Sequence, residues 1–412
     1  MPVNREEVAV SEQALSDVKV LDLTWYIAGP YCTKLLADYG ADVIKVERPG
    51  TGDPARSMGP FLGDEPHPER SGLFTHLNTN KRSITLNLKN AAGKKLFKQL
   101  LKDVDILVES FRPHVMPGLG LGYEVLKELN PRLVMASLSS FGQTGPYQEF
   151  KASDIVEYAM GGPMYCTGLL EREPVKMGGT VTTTIGGNVA APFILGALWA
   201  ARVHGIAQHV DISLFQVQLG QVERRPYYFM NYAYTGTITG RGEAGGVFGV
   251  PFAIYPCKDG YVQIITAQHW WPRVARMLNR PEILTDPRFA EYSDRLQHRE
   301  EFENEFLLPW LLSRSKWEVT QAAQREKEPV LPVCTAEDMV MDPHFKQRGF
   351  FVDIEHPVLG KLKYPGAPVK LGEGSWVVRW PAPLLGQHNA EVYGALGYSK
   401  QDQVRLREIG AI

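Results

Sequence analysis

The stretch "VKVLDLTWYIAGPYCTKLLADYGADVIKVERP", residues 18–49, decides the fold. "VKVLDLT" is a near-continuous apolar run of the kind a strand shows when both its faces are covered. "AGPYCTKLLADYG" then reads as a helix, with Pro30 near its start and Gly40 at its end. "ADVIKVERP" returns to a strand. This strand, helix, strand order implies a right-handed crossover between parallel strands.

The alternation continues outward. "AGKKLFKQLLKDV" and "GYEVLKELN" are spaced as helices, and "DILVESF" and "RLVMASLSSF" as strands. "DIVEYAMGG" reads as a helix ending in glycines, and residues 207–234 as a strand passing into a long helix. The glycine-rich residues 236–251 mark a change of organisation. Beyond them "FAIYPCKDGYVQIIT" is a hairpin with a Lys-Asp-Gly turn, and "WWPRVARMLNRPEIL" and residues 299–323 are helices. The last segment, from "PGAPVKL" onward, has the pattern of a short strand and two helices that pack back on the first domain. The expected division is a large α/β domain over 1–215, a linker over 216–238, a small α/β domain over 239–330, and a return through 331–412.

Lysine plus arginine (44) nearly balances aspartate plus glutamate (46), a net charge of −2 that leaves no footprint for nucleic acid or an anionic membrane. The four cysteines lie too far apart for metal pairs, and the ten histidines show no ligating spacing, so no metal is expected. The N-terminal residues lack an apolar signal core, and a soluble cytoplasmic protein is expected. The turn after the first strand lacks GxGxxG, which argues against a dinucleotide. Lys81 and Arg82, in "LNTNKRSITLNL", read as an exposed basic turn before a strand, or as a phosphate anchor.

"VLDLTWYIAGPYCTKLLADYGADVIKVERPGTGDPAR", "NTNKRSITLNLK", "FGQTGPYQ", "QHVDISLFQ", "YPCKDGYVQI", "DPHFKQRGFF" and "PLLGQHNAEVYGALGY" together resemble the class III CoA-transferase family, with its formyl-CoA transferase, carnitine CoA-transferase and α-methylacyl-CoA racemase branches. The resemblance implies a Rossmann-like large domain built from both termini, a small domain, and two ring-shaped chains interlocked as a dimer. It implies CoA thioesters as substrates, with no permanently bound cofactor. Arg48, Leu86, Phe111 and Lys151 stand where the family contacts CoA, and Trp25, Tyr26, Ile27 and Ala28 match the loop beneath the thioester.

In active transferases an aspartate attacks the acyl-CoA carbonyl from the turn matching "TTTIGGNV", and the exchange proceeds through covalent acyl intermediates. Here that position matches Gly186, in what reads as a turn ahead of a helix N-capped by Asn188 and ending near Gly205. Asp154, at a helix start, is an N-cap or a displaced carboxylate. The family arginine used on CoA phosphates falls near Met116, Pro117 and Gly118, the formyl-CoA transferase glutamine is Ile27, and Ser153 precedes Asp154 where racemases carry histidine. The expected role is therefore the nucleophile-free subunit of a heteromer whose paralogous partner supplies the aspartate, an arrangement resembling the two-subunit succinyl-CoA:(R)-benzylsuccinate CoA-transferase. The alternatives are a homodimeric transferase using Asp154 and a non-catalytic CoA-thioester-binding or regulatory protein. The aromatic "RRPYYFMNYAY" suits an aryl substrate or subunit packing.

Overall fold

The computed structural model describes residues 13–220, 225–241, 249–372 and 375–412. They fall into two units, one comprising Met1–Arg241 and Phe350–Ile412 and the other Gly242–Gly349. The second unit extends beyond the expected 239–330, and the return to the first begins at Phe350.

In the first unit, six parallel strands form one sheet: β1 (Lys19–Leu23), β2 (Asp42–Glu47), β3 (Lys81–Thr85), β4 (Ile106–Glu109), β5 (Val134–Ser139) and β6 (His209–Ser213). Their order, β3-β2-β1-β4-β5-β6, makes the sheet doubly wound. The strand order reverses between β1 and β4, and a crevice opens there at the carboxyl ends of the strands.

Helices α1 (Ala28–Asp38), α2 (Gly72–Leu77), α3 (Ala91–Leu101), α4 (Val115–Gly118), α5 (Tyr123–Leu129), α6 (Asp154–Met160), α7 (Val181–His204) and α8 (Leu214–Gly220) follow in chain order. On one face Val20, Val108 and Ala136 of the sheet pack with Leu36 of α1 and Ala190 and Ile194 of α7. On the other, Leu21, Leu107 and Met135 pack with Phe97 of α3, and with Tyr393, Leu406 and Ile412 from the end of the chain. The closing helices Asn389–Ala395 and Lys400–Glu408 thus complete the first core.

The Gly186–Gly187 pair is not a turn. It lies inside α7, whose 24 residues begin at Val181, well before Asn188, and end at His204, capped by Gly205 with φ +68°. A Cβ on Gly186 would sit 2.2 Å from Leu214 Cδ2, and one on Gly187 would sit 2.3 Å from the Ala28 carbonyl oxygen. The glycines let α7 lie directly on α8 and on the start of α1, and that packing outweighs a helix penalty of about 1 kcal/mol each. By length and composition α7 would also pass for a membrane span, although 44% of its most apolar window is buried against the rest of the chain.

Lys81 is not an exposed turn residue. It opens β3 fully buried, with Nζ donating to Asp22 Oδ2 at 3.0 Å, while Arg82 pairs with Asp42 and Glu391. The "PGAPVKL" segment holds no strand past Pro365. The strands lie earlier, as the hairpin Phe351–His356 with Gly360–Pro365.

In the second unit, Phe252–Cys257 and Gly260–Ile265 form the expected hairpin, and Val330–Pro332 adds a third strand. Helix Trp271–Leu278 and the helical turns over residues 299–312 cover it with Trp271 and Phe302, and Phe289 packs with them. Of the stretches singled out in the sequence, residues 221–224 and 242–248 lie outside the described set.

Candidate active site

The loop after β1 is held from below by buried charge. Burial opposes ionisation of Asp22, but Lys81, Lys45 and the hydroxyls of Thr24 and Thr33 outweigh it and hold its carboxyl below the usual carboxylate range. Asp22 Oδ1 accepts the Thr24 N–H at 2.9 Å. Lys45, fully buried, pairs with Asp53 at 2.8 Å and donates to the Thr24 carbonyl at 3.0 Å. Asp53 in turn accepts the Tyr26 N–H at 3.1 Å. These bonds fix Tyr26 at φ +65°, a left-handed conformation costly for a bulky residue unless its surroundings impose it.

Trp25 projects from this loop. Its backbone N–H donates to Ser110 Oγ at 2.9 Å, its indole meets Phe111 edge-on at 5.1 Å, and the Arg48 guanidinium lies 3.8 Å from the centre of the ring. Phe111 is placed by Glu109, whose Oε2 accepts the Phe111 N–H at 2.7 Å. A cavity of about 740 Å³ opens over this stack, bounded by Leu86, Asn87, Lys89, Arg112 and His114 as well as Trp25, Arg48 and Phe111. It is apolar in its depth and cationic at its rim. That combination suits a ligand with a flat ring and phosphates.

A second cavity of about 640 Å³ shares Trp25, Tyr26, Ser110, Phe111 and Arg112 with the first and continues past Ile27, Ala28 and Lys151 to Asp154, Glu157, Thr180 and Thr183. The sheet crevice thereby gathers all eight residues expected at the CoA site, together with Asp154. Sequence reading missed Lys89, Arg112, Glu157 and Thr183. Arg112 was legible within "ESFRPH" as a cation beside Phe111, whereas Glu157 and Thr183 carried no signal beyond helix spacing.

Gly186 lines neither cavity. The α7 residue that faces the second cavity is Thr183, one turn earlier, with Thr180 at the N-cap. Asp154 Oδ1 accepts the Thr183 N–H at 3.0 Å, and Lys176 Nζ lies 2.9 Å from Asp154 Oδ2. Lys176 also donates to the Met177 and Gly179 carbonyls. Asp154 is therefore clamped between the segment that precedes α7 and the first turn of that helix. Glu157, one turn along α6 and only 2% exposed, is pushed up to about 7 by burial, with Asp154 adding to the rise against a hydrogen bond from Ser140. Gly118, near the position where the family resemblance implies an arginine, is exposed with open space around its Cβ position, and Met116 is buried. Among the described residues no group of three His, Cys, Asp or Glu side chains could hold a metal.

The sequence profile of the family described as CoA-transferase family III matches residues 15–389. The chain belongs to this family. It is 35% identical over 398 residues to the succinyl-CoA–D-citramalate CoA-transferase of Chloroflexus aurantiacus, covering 95% of this chain and 96% of that one. It is 34% identical over 416 residues to a formyl-CoA:oxalate CoA-transferase of Streptomyces avermitilis, covering 97% and 100%. Among solved structures, a CAIB/BAIF family protein from Brucella suis superposes with a TM-score of 0.84 at 30% identity, over 93% of this chain and 100% of the other. Rv3272 from Mycobacterium tuberculosis gives 0.77 at 27% identity, over 93% and 99%. CoA-transferases act on CoA thioesters, so the crevice between β1 and β4 is the candidate site for one.

Proposed function

We propose that this chain serves a class III CoA-transferase that moves CoA from an acyl-CoA donor such as succinyl-CoA to a carboxylic acid, and that it is the non-catalytic subunit beside a paralogous chain carrying the nucleophilic aspartate. The observation that carries this reading is the cavity face of α7, which presents the hydroxyls of Thr180 and Thr183 and no carboxylate. A nucleophile needs a carboxylate oxygen free to reach the thioester carbon. Asp154 has one oxygen on the Thr183 N–H and the other beside Lys176. The exposed apolar side chains Phe193, Trp199 and Val203 of α7, and Phe229, Tyr232 and Tyr234 of the helix Arg225–Thr235, support a covering chain.

A homodimeric enzyme using Asp154 is the second reading, favoured by the presence of that acid in the cavity. One experiment separates the two. The purified chain is assayed with succinyl-CoA and a panel of carboxylates, alone and co-purified with any paralogue, and covalent acyl adducts are trapped with hydroxylamine. The expected result is no turnover alone and turnover with the adduct on the partner. Robust turnover alone with an adduct on Asp154 overturns the proposal.

A further inference from the structure

Glu157 is the buried titratable group that the reading above leaves without a task. It lines the second cavity, is 2% exposed, and its Oε2 has no hydrogen-bond partner among the described residues. A glutamate in the first turn of a helix is ordinarily a solvated group favoured by the helix dipole. Glu157 is not solvated, and a buried polar atom without a partner calls for one. The charges around it are Asp154 on the same helix, Lys176 paired with Asp154, and Lys151 and Arg112 on the cavity lining.

We propose that the Glu157 carboxyl hydrogen-bonds to an oxygen on the acyl group, so that this chain's cavity selects CoA thioesters whose acyl chain carries a hydroxyl or a carboxylate beyond the thioester. The inference rests on the reading of the crevice as a CoA-thioester site. The thioester loop Trp25–Ala28 forms one wall of the second cavity and Glu157 another, so an acyl group directed inward from that loop runs toward Glu157. Burial favours the neutral acid there, against a hydrogen bond from Ser140, and the neighbouring Asp154 adds to the rise. A neutral acid can donate, and Lys151 and Arg112 add positive potential for an anionic acyl end.

The test is calorimetric titration of the full-length chain with CoA, butyryl-CoA, 3-hydroxybutyryl-CoA and succinyl-CoA, acyl groups that share a four-carbon chain. Wild type should bind at least one of the oxygen-bearing thioesters about tenfold more tightly than butyryl-CoA, the scale of one hydrogen bond. Tightening confined to one of the two names the group that is read. Glu157→Gln keeps a donor of the same shape and should keep the preference. Glu157→Leu should bind all three acyl-CoAs alike with CoA itself unchanged, and Glu157→Met carries the same test should the leucine variant not fold. CoA binding without acyl discrimination in wild type, or discrimination that survives in both apolar variants, overturns the inference alone. Absence of any CoA binding overturns the site reading and the inference with it.

Discussion

Asp154 Oδ1 accepts the backbone N–H of Thr183 at 3.0 Å, so the acid that opens α6 also satisfies a donor in the first turn of α7. No side chain caps α7 at Thr180, and Asp154 does that work from a neighbouring helix. Asp154→Ala should destabilise the protein by about 0.5–2 kcal/mol, as loss of a cap does. Asp154→Asn keeps an acceptor and should cost less. Urea unfolding midpoints check both, and equal midpoints for wild type and Asp154→Ala would remove the structural role. In the assembled enzyme Asp154→Ala should leave most of the turnover. Loss of turnover in a complex that still assembles would place the chemistry in this chain.

A carboxylate returned to α7 should have opposite consequences at two positions one turn apart. Gly186→Asp puts a Cβ 2.2 Å from Leu214 Cδ2 and a charge into a buried helix contact, so it should destabilise by more than about 2 kcal/mol or leave the chain insoluble. Thr183 faces the cavity, so Thr183→Asp should still fold, at a modest cost from the like charge it sets beside Asp154. With succinyl-CoA it should give a slow hydroxylamine-sensitive adduct, well short of a competent transferase, because the Ile27 side chain offers no hydrogen bond to orient the thioester and catalysis is sensitive to small misplacements. An adduct on Gly186→Asp and none on Thr183→Asp would show that the helix register at the site differs from the one described.

What could be read ahead of the structure follows from which residues carry periodic signals. Residues 18–49 showed the strand, helix, strand unit because Val20, Leu21, Leu23, Val43 and Val46 are buried, and an apolar run is what such burial leaves in a sequence. Arg48, Leu86 and Phe111, expected at the CoA site, line one cavity because each stands at or just past a strand end, where the family resemblance has fixed reference points. The α7 start was misread because glycine pairs mark turns by intrinsic preference, whereas here the missing Cβ atoms serve contacts with Leu214 and Ala28, and long-range packing has no local signature. Lys81 was misread for the same reason. Its partner Asp22 lies 59 positions away in the chain, and nothing beside Lys81 announces it.

Arg48 joins the ring stack to the rim charge, with its guanidinium 3.8 Å from the Trp25 ring centre. Arg48→Ala should weaken CoA binding by about 1–3 kcal/mol, the range for a charge-assisted hydrogen bond to phosphate. Arg48→Lys keeps the charge but not the flat face, and should recover only part of the loss. Gly118→Arg is its complement, since open space surrounds the Gly118 Cβ position, and it should tighten CoA binding without loss of stability. Calorimetry on the three variants decides, and unchanged affinity in Arg48→Ala would remove Arg48 from the CoA site.

Glu109 links the site to pH. Burial pushes its carboxyl up to about 7, with the Asp211 charge adding to the rise and the Ser137 hydroxyl and the Phe111 N–H opposing it. Ser137 also meets His209 Nε2 at 2.8 Å, and burial keeps that imidazole below its ordinary value, so it supplies little positive charge near neutrality. The folded state therefore holds a proton on Glu109 between its ordinary value of 4.5 and about 7, a range in which the unfolded chain has released it. Fewer protons on the unfolded chain mean that stability falls as pH rises through this window, by at most about 3 kcal/mol at 1.36 kcal/mol per unit. Glu109→Gln keeps an acceptor for the Phe111 N–H and has no proton to lose. Its thermal midpoint relative to wild type should improve between pH 5.5 and pH 8, and a difference that stays constant between those two values would show that Glu109 is ionised in the folded protein throughout.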